Sequence, residues 1–155
     1  MKQYLLDTFK FNDFANRKML EKIKTLPDKM QSIKFFSHLI NSQNKWLVRI
    51  QLNEKSQQMS GWEPIYSLEE LEPMWTKSIN AWLEFIESKT EEQIFEIIHF
   101  TGWDGGDWEV PLIDIALQLN YHSIHHRAQI QMLIRAQGIE PDFIDYVGTR
   151  YKKIK

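Results

Sequence analysis

The sequence contains no cysteine, and that absence removes disulfides, thiolate metal ligands and any nucleophilic thiol supplied by the chain itself. Sulfur chemistry here would need a diffusible thiol. Long apolar runs are missing too. No stretch is long and apolar enough to cross a bilayer. In the N-terminal MKQYLLDTFKFNDFANRKML, the residues Asp7, Asn12, Asp13 and Asn16 break up the apolar positions, so the continuous core of a signal peptide is lacking. The expectation is a cytoplasmic protein with no membrane partner. An excess of one charge is also absent: the formal net charge is -2, with Lys and Arg spread along the chain. No extended basic field exists to collect phosphates, which argues against nucleic acid as a partner. The one basic cluster, Arg150, Lys152, Lys153 and Lys155, reads as a solvated tail.

What is present suits one compact unit. A length of 155 residues with 43% hydrophobic and 26% charged residues is ordinary for a soluble domain, and dividing it would leave neither half a sizeable core. The expected domain is therefore the whole of 1–155. Six Trp, nine Phe and five Tyr can bury large areas in a core or line a pocket.

Apolar spacing marks four helices. From about Gln3 to Thr25, the residues Leu5, Leu6, Phe9, Ala15, Met19, Leu20 and Ile23 recur at three- and four-residue steps and stop near Pro27. A second helix is expected from just after Asp28 to about Asn53, with His38 inside it. The stretch EKSQQMSGWEPIY, Glu54 to Tyr66, breaks the period with Gly61 and Pro64 and reads as a surface loop able to border a pocket. Ser67 and Glu70 form a capping box that opens a third helix reaching about Lys89. Between Glu91 and Val110 the pattern turns to short extended pieces around the Gly-rich TGWDGGDWEV, predicting a small hairpin or irregular crossover. Pro111 suits the first position of a fourth helix and Gly138 its left-handed stop. The expected fold is all-α: a four-helix bundle with a long crossover connection and a short extended or hairpin insert before the last helix.

The histidines carry the chemistry. His122 and His126 are four residues apart on the fourth helix, so one turn puts them on one face, about 6 Å apart along the axis. That face continues through Leu112, Ile115, Leu119, Ile130 and Leu133, the stripe that points at the core. Two imidazoles buried side by side need hydrogen-bond partners or a metal, because protonating both would place like charges in an apolar setting. Taken alone, such a pair is more often two satisfied core histidines than a metal site. His38, mid-helix among Phe35, Leu39 and Ser42, is the best third ligand. His99, in the extended stretch, and His125, about 100° around the helix from His126, are left outside the coordinating set. Three imidazoles without thiolate suit a divalent ion such as zinc, nickel, iron or manganese, with positions left open for water or substrate.

These segments also resemble a known family. HSIHHRAQI, His122 to Ile130, resembles the H-x-x-x-H-R-G-Q signature of the DinB/YfiT-like superfamily, and HLINSQNKWLVR, His38 to Arg49, resembles the segment that carries that family's first histidine ligand. The Trp-Asp-Gly stretch and GIEPDFIDYV, ending at Val147, extend the likeness over essentially the whole chain. Ala128 stands where glycine is common, a small change that leaves His122 and His126 in position. The resemblance implies a four-helix bundle, commonly a homodimer, with a divalent metal on His38, His122 and His126. Several relatives are transferases or isomerases that use low-molecular-weight thiols such as bacillithiol or mycothiol.

The leading functional expectation is a metal-dependent enzyme, of the thiol-dependent S-transferase or isomerase type or a hydrolase, acting on a small electrophilic molecule. The alternative is a non-catalytic, stress-associated dimeric metal-binding protein. Arg127 and Gln129 are candidate anchors for an anionic substrate group, with a structural salt bridge or a solvated side chain as the equal alternative. Trp46, Trp62 and Trp103 are candidates to wall a pocket beside the metal, with plain core packing as the competing reading.

Overall fold

Four amphipathic helices form where the 3.6-residue period of apolar side chains predicts them. In the computed structural model these are α1 (Lys2–Thr25), α2 (Met30–Ser56), α3 (Leu68–Glu87) and α4 (Leu112–Ala136). Two short strands, β1 (Ile97–Thr101) and β2 (Asp107–Pro111), pair antiparallel between α3 and α4, with Ile97 opposite Pro111 and Thr101 opposite Asp107. The structure describes residues 1–154, and for Leu52 and Asn53 the backbone only; Lys155 of the basic cluster lies outside the described residues. Within that cluster, Arg150 reaches Asp7 on α1 at 3.1 Å.

The principal packing of α1 is on α3 and α4, and α2 packs on the same two helices. All four contribute to one apolar cluster, which includes Phe9, Phe36, Trp75, Trp82, Leu119 and Ile130. The two buried indoles meet the requirement that an N–H leaving water find an acceptor: Trp82 Nε1 donates to the Gln43 carbonyl at 2.9 Å and Trp75 Nε1 to Asp13 Oδ1 at 2.8 Å. Every residue assigned to the α1 stripe, from Leu5 to Ile23, is buried. The same face also takes in Asn12 and Asn16, fully enclosed polar residues.

The helix ends follow local chemistry. Ser67 caps α3, its Oγ accepting from the Glu70 amide while Glu70 Oε2 accepts from the Ser67 amide at 2.8 Å. Gly138 follows α4 with φ of 73°, a left-handed conformation that favours glycine. Pro111 corrects the sequence reading: it closes β2 and caps α4 in an extended conformation, with ψ of 140°, and Leu112 is the first helical residue. Proline has no N–H to give either element, so it suits the junction as well as it would the first helical turn. In the hairpin, a Cβ on Gly102 would come within 2.7 Å of the Asp104 and Trp108 side chains. The insert is therefore a tight hairpin and not an irregular crossover.

Candidate metal centre

The site forms where α2 meets α4. His122 and His126 project from α4 one turn apart, and His38 comes from α2 against them. His38 Nε2 lies 3.1 Å from His122 Nε2, and His126 Nε2 lies 3.0 Å from the same atom. One ligating nitrogen from each ring falls within 4.8 Å of the other two. Nitrogens bound to a common tetrahedral or octahedral ion at about 2.0–2.1 Å stand about 2.9–3.4 Å apart, so the spacing is that of a preformed set of ligands.

The other side of each ring fixes which nitrogen faces inward. His38 Nδ1 lies 2.5 Å from the Gly61 carbonyl, and His126 Nδ1 lies 2.6 Å from Gln129 Oε1. Both partners are acceptors, so both Nδ1 atoms carry the proton and both inward Nε2 atoms present lone pairs. His122 Nε2 can offer at most one hydrogen to two such acceptors. Adding protons does not resolve the conflict. Burial first, then the neighbouring imidazoles, push both His122 and His126 down to about 4, and burial holds His38 below its usual value. At neutral pH three uncharged rings converge, and a cation is the partner that satisfies all of them. The cluster can hold a metal ion.

Loop residues 57–67 cover the site from one side, held by polar side chains on α2. Asn41 Nδ2 donates to the Pro64 carbonyl at 2.9 Å, and the Tyr66 amide donates to Ser37 Oγ at 3.1 Å. This anchoring delivers the Gly61 carbonyl to His38 and lays Trp62 flat on the His38 ring, with centroids 3.7 Å apart and planes 10° apart. Trp62 remains 42% exposed, an indole roof stacked on the histidine with Lys34 Nζ 5.8 Å from its ring centroid. Phe35 packs against both Trp62 and His126.

The other singled-out residues fall elsewhere. Trp103 is 96% exposed at the hairpin tip. Trp46 packs edge-on against Phe100 with Arg49 over its ring; eight residues beyond His38, it lies about 12 Å further along α2. Of the three indoles only Trp62 touches the cluster. His99 is exposed, 3.8 Å from Glu109, and His125 is exposed with its ring beside His126. Gln129 holds His126, a role its i,i+3 spacing on α4 signals. The Gly61 carbonyl has no such signal, since only the folded loop brings it to His38. Arg127 is neither solvated nor salt-bridged: its Nη1 donates to Asn12 Oδ1 at 2.6 Å and Ser123 Oγ at 2.9 Å, on the α1 side of α4. Burial pushes its guanidinium down to about 10, so it stays cationic at neutral pH.

A profile of the DinB family matches residues 1–154, and the chain belongs to that family. No curated protein matches it.

Proposed function

We propose that the chain is a metal-dependent enzyme in which His38, His122 and His126 hold one divalent ion, either zinc, nickel, iron or manganese. Its reaction is of the thiol-dependent S-transferase or isomerase type, on a small electrophilic molecule. The observation that carries this reading is the convergence of three Nε2 atoms, with the His38 ring oriented from behind by the Gly61 carbonyl and the His126 ring by Gln129. A bound divalent ion would supply a Lewis acid that favours thiolate over thiol at neutral pH. No protein carboxylate or thiolate is part of the triad, so an ion held there keeps its full charge and favours an anionic ligand. The chain has no cysteine, so the sulfur comes from a low-molecular-weight thiol. In transfer, that sulfur bonds to the electrophilic carbon and the leaving group departs with the bonding pair. A homodimer located in the cytoplasm completes the proposal.

A second reading, a non-catalytic metal-binding and stress-associated dimer, is favoured by Trp62 lying flat on His38 and by the burial of His126. The deciding experiment has two stages. Elemental analysis of protein purified without a metal-affinity tag should give one metal per chain, lost in His122→Ala; unchanged metal in the variant removes His122 from the site. Metal-loaded protein is then offered a panel of low-molecular-weight thiols with a haloalkane, an epoxide and an isomerisable enone. Metal-dependent conjugation or isomerisation supports the enzyme, whereas stoichiometric metal with no turnover across the panel favours the binding protein.

A further inference from the structure

The face of α4 turned towards α1 carries a charge that the metal centre does not use. Arg127 is only 7% exposed, and its two hydrogen-bond partners, Asn12 and Ser123, are both neutral. Nε and Nη2 bond to no other described residue. Burying a guanidinium without a counter-charge is costly, and the surroundings repay it incompletely: Asn12 Nδ2 is buried with no acceptor among the described residues. Both residues line a cleft of about 190 Å³ between α1 and α4. Its walls are apolar and aromatic, from Tyr4 and Phe11 on α1, Leu117 and Tyr121 on α4, and Tyr146 from the C-terminal segment.

We propose that this cleft binds a small carboxylic acid with an aromatic or branched apolar body, its carboxylate on Arg127 and its body between the aromatic walls. The guanidinium is a planar fork that matches a carboxylate in two parallel hydrogen bonds, and with Nη1 committed to Asn12 and Ser123 the fork that remains is its Nε and Nη2 edge. The cleft holds about six waters at roughly 30 Å³ each, enough for a single-ring acid and too little for a nucleotide or a folded peptide segment. The site is separate from the metal centre. His122 and His126 face α2, whereas Ser123 and Arg127, the next residue after each, face α1.

Benzoate is a suitable probe, titrated calorimetrically into the metal-loaded full-length protein with benzyl alcohol as its neutral counterpart. Benzoate should bind once per chain, at least tenfold more tightly than benzyl alcohol. Arg127→Lys, which keeps the charge but loses the fork, should weaken it at least tenfold. Should that change disturb the buried network, Ile124→Glu provides an independent arm. Ile124 lines the cleft and is half-exposed, so a carboxylate there occupies or repels at the mouth and should abolish benzoate binding while leaving helix content unchanged. Equal binding of acid and alcohol, or binding of neither, overturns the proposal. So does benzoate binding that survives Ile124→Glu and disappears in His122→Ala, which places the acid on the metal. A dimer split by Ile124→Glu, in a protein that never binds benzoate, would make the cleft an interface between copies and likewise overturn it. Metal stoichiometry in the same samples reports separately on the histidine site.

Discussion

At the scale of single residues, the candidate centre depends on atoms that would never touch a metal. An imidazole rotates about two bonds, and a ring free to turn presents its lone pair in the right direction only part of the time. Gln129 removes that freedom for His126 and the Gly61 carbonyl removes it for His38, each also holding the proton on Nδ1. Groups behind a ligand typically change metal affinity by about 10–100-fold when removed. Gln129→Ala should therefore weaken metal binding by a factor in that range, measured by competition against a chromophoric chelator, with helix content unchanged. Affinity equal to that of the unaltered protein would show that Gln129 does not orient the ring. The three histidines were legible in the sequence, two of them from one-turn spacing and the third from its apolar neighbours. Gln129 was legible as a polar residue one turn from His126, a spacing that allows a contact with the ring but does not by itself distinguish an anchor for substrate from a group that stands behind a ligand. The fate of Arg127 was hidden for another reason: Asn12 and Ser123 are more than a hundred residues apart, and no local pattern announces that they share one cation.

At the scale of elements, periodicity located all four helices and punctuation located most of their ends. The capping box of α3 was readable because it is local, with donors and acceptors separated by three residues. Its contribution can be measured. Ser67→Ala removes the Oγ that accepts from the Glu70 amide, and loss of such a cap costs about 1 kcal/mol. In a domain of this size that corresponds to a fall in Tm of roughly 2–4 °C, followed by thermal denaturation in circular dichroism. Ser67→Asp, which restores an acceptor, should recover most of it. No change in Tm with alanine would mean that the cap contributes nothing to the folded state. Ends without a local signal are less legible. The second helix runs to Ser56, past the expected end near Asn53, because nothing in Glu54, Lys55 or Ser56 forbids helix and the first strong breaker is Gly61. Pro111 fits an N-cap as readily as a first helical position, and the choice was made by the strand pairing of Ile97 with Pro111, a contact that local sequence does not encode.

At the scale of the whole molecule, the question is what brings α2 to α4 at the histidines. Apolar patterning says that each helix has a buried stripe and leaves open which stripes meet; His38 among apolar neighbours offers a third ligand, and the resemblance of both histidine segments to one family joins its helix to the last one. In the folded chain, His38 and His122 are 84 positions apart in sequence and 3.1 Å apart in space, so an ion between them would link two helices across more than half of the chain. Anything that binds the folded state and not the unfolded one adds RT ln(1 + [L]/Kd) to stability, about 2.7 kcal/mol when free metal is a hundredfold above Kd. For a domain of this length, with roughly 2–4 °C of Tm per kcal/mol, chelation should lower Tm by about 5–10 °C, and restoring the metal should reverse the loss. His38→Ala serves as the control, since removing the α2 ligand breaks the link while leaving the α4 pair in place. Its Tm should be nearly insensitive to chelator. A chelator-induced fall of the same size in His38→Ala would mean that α4 alone carries the ion, and the centre would then not be a bridge between helices.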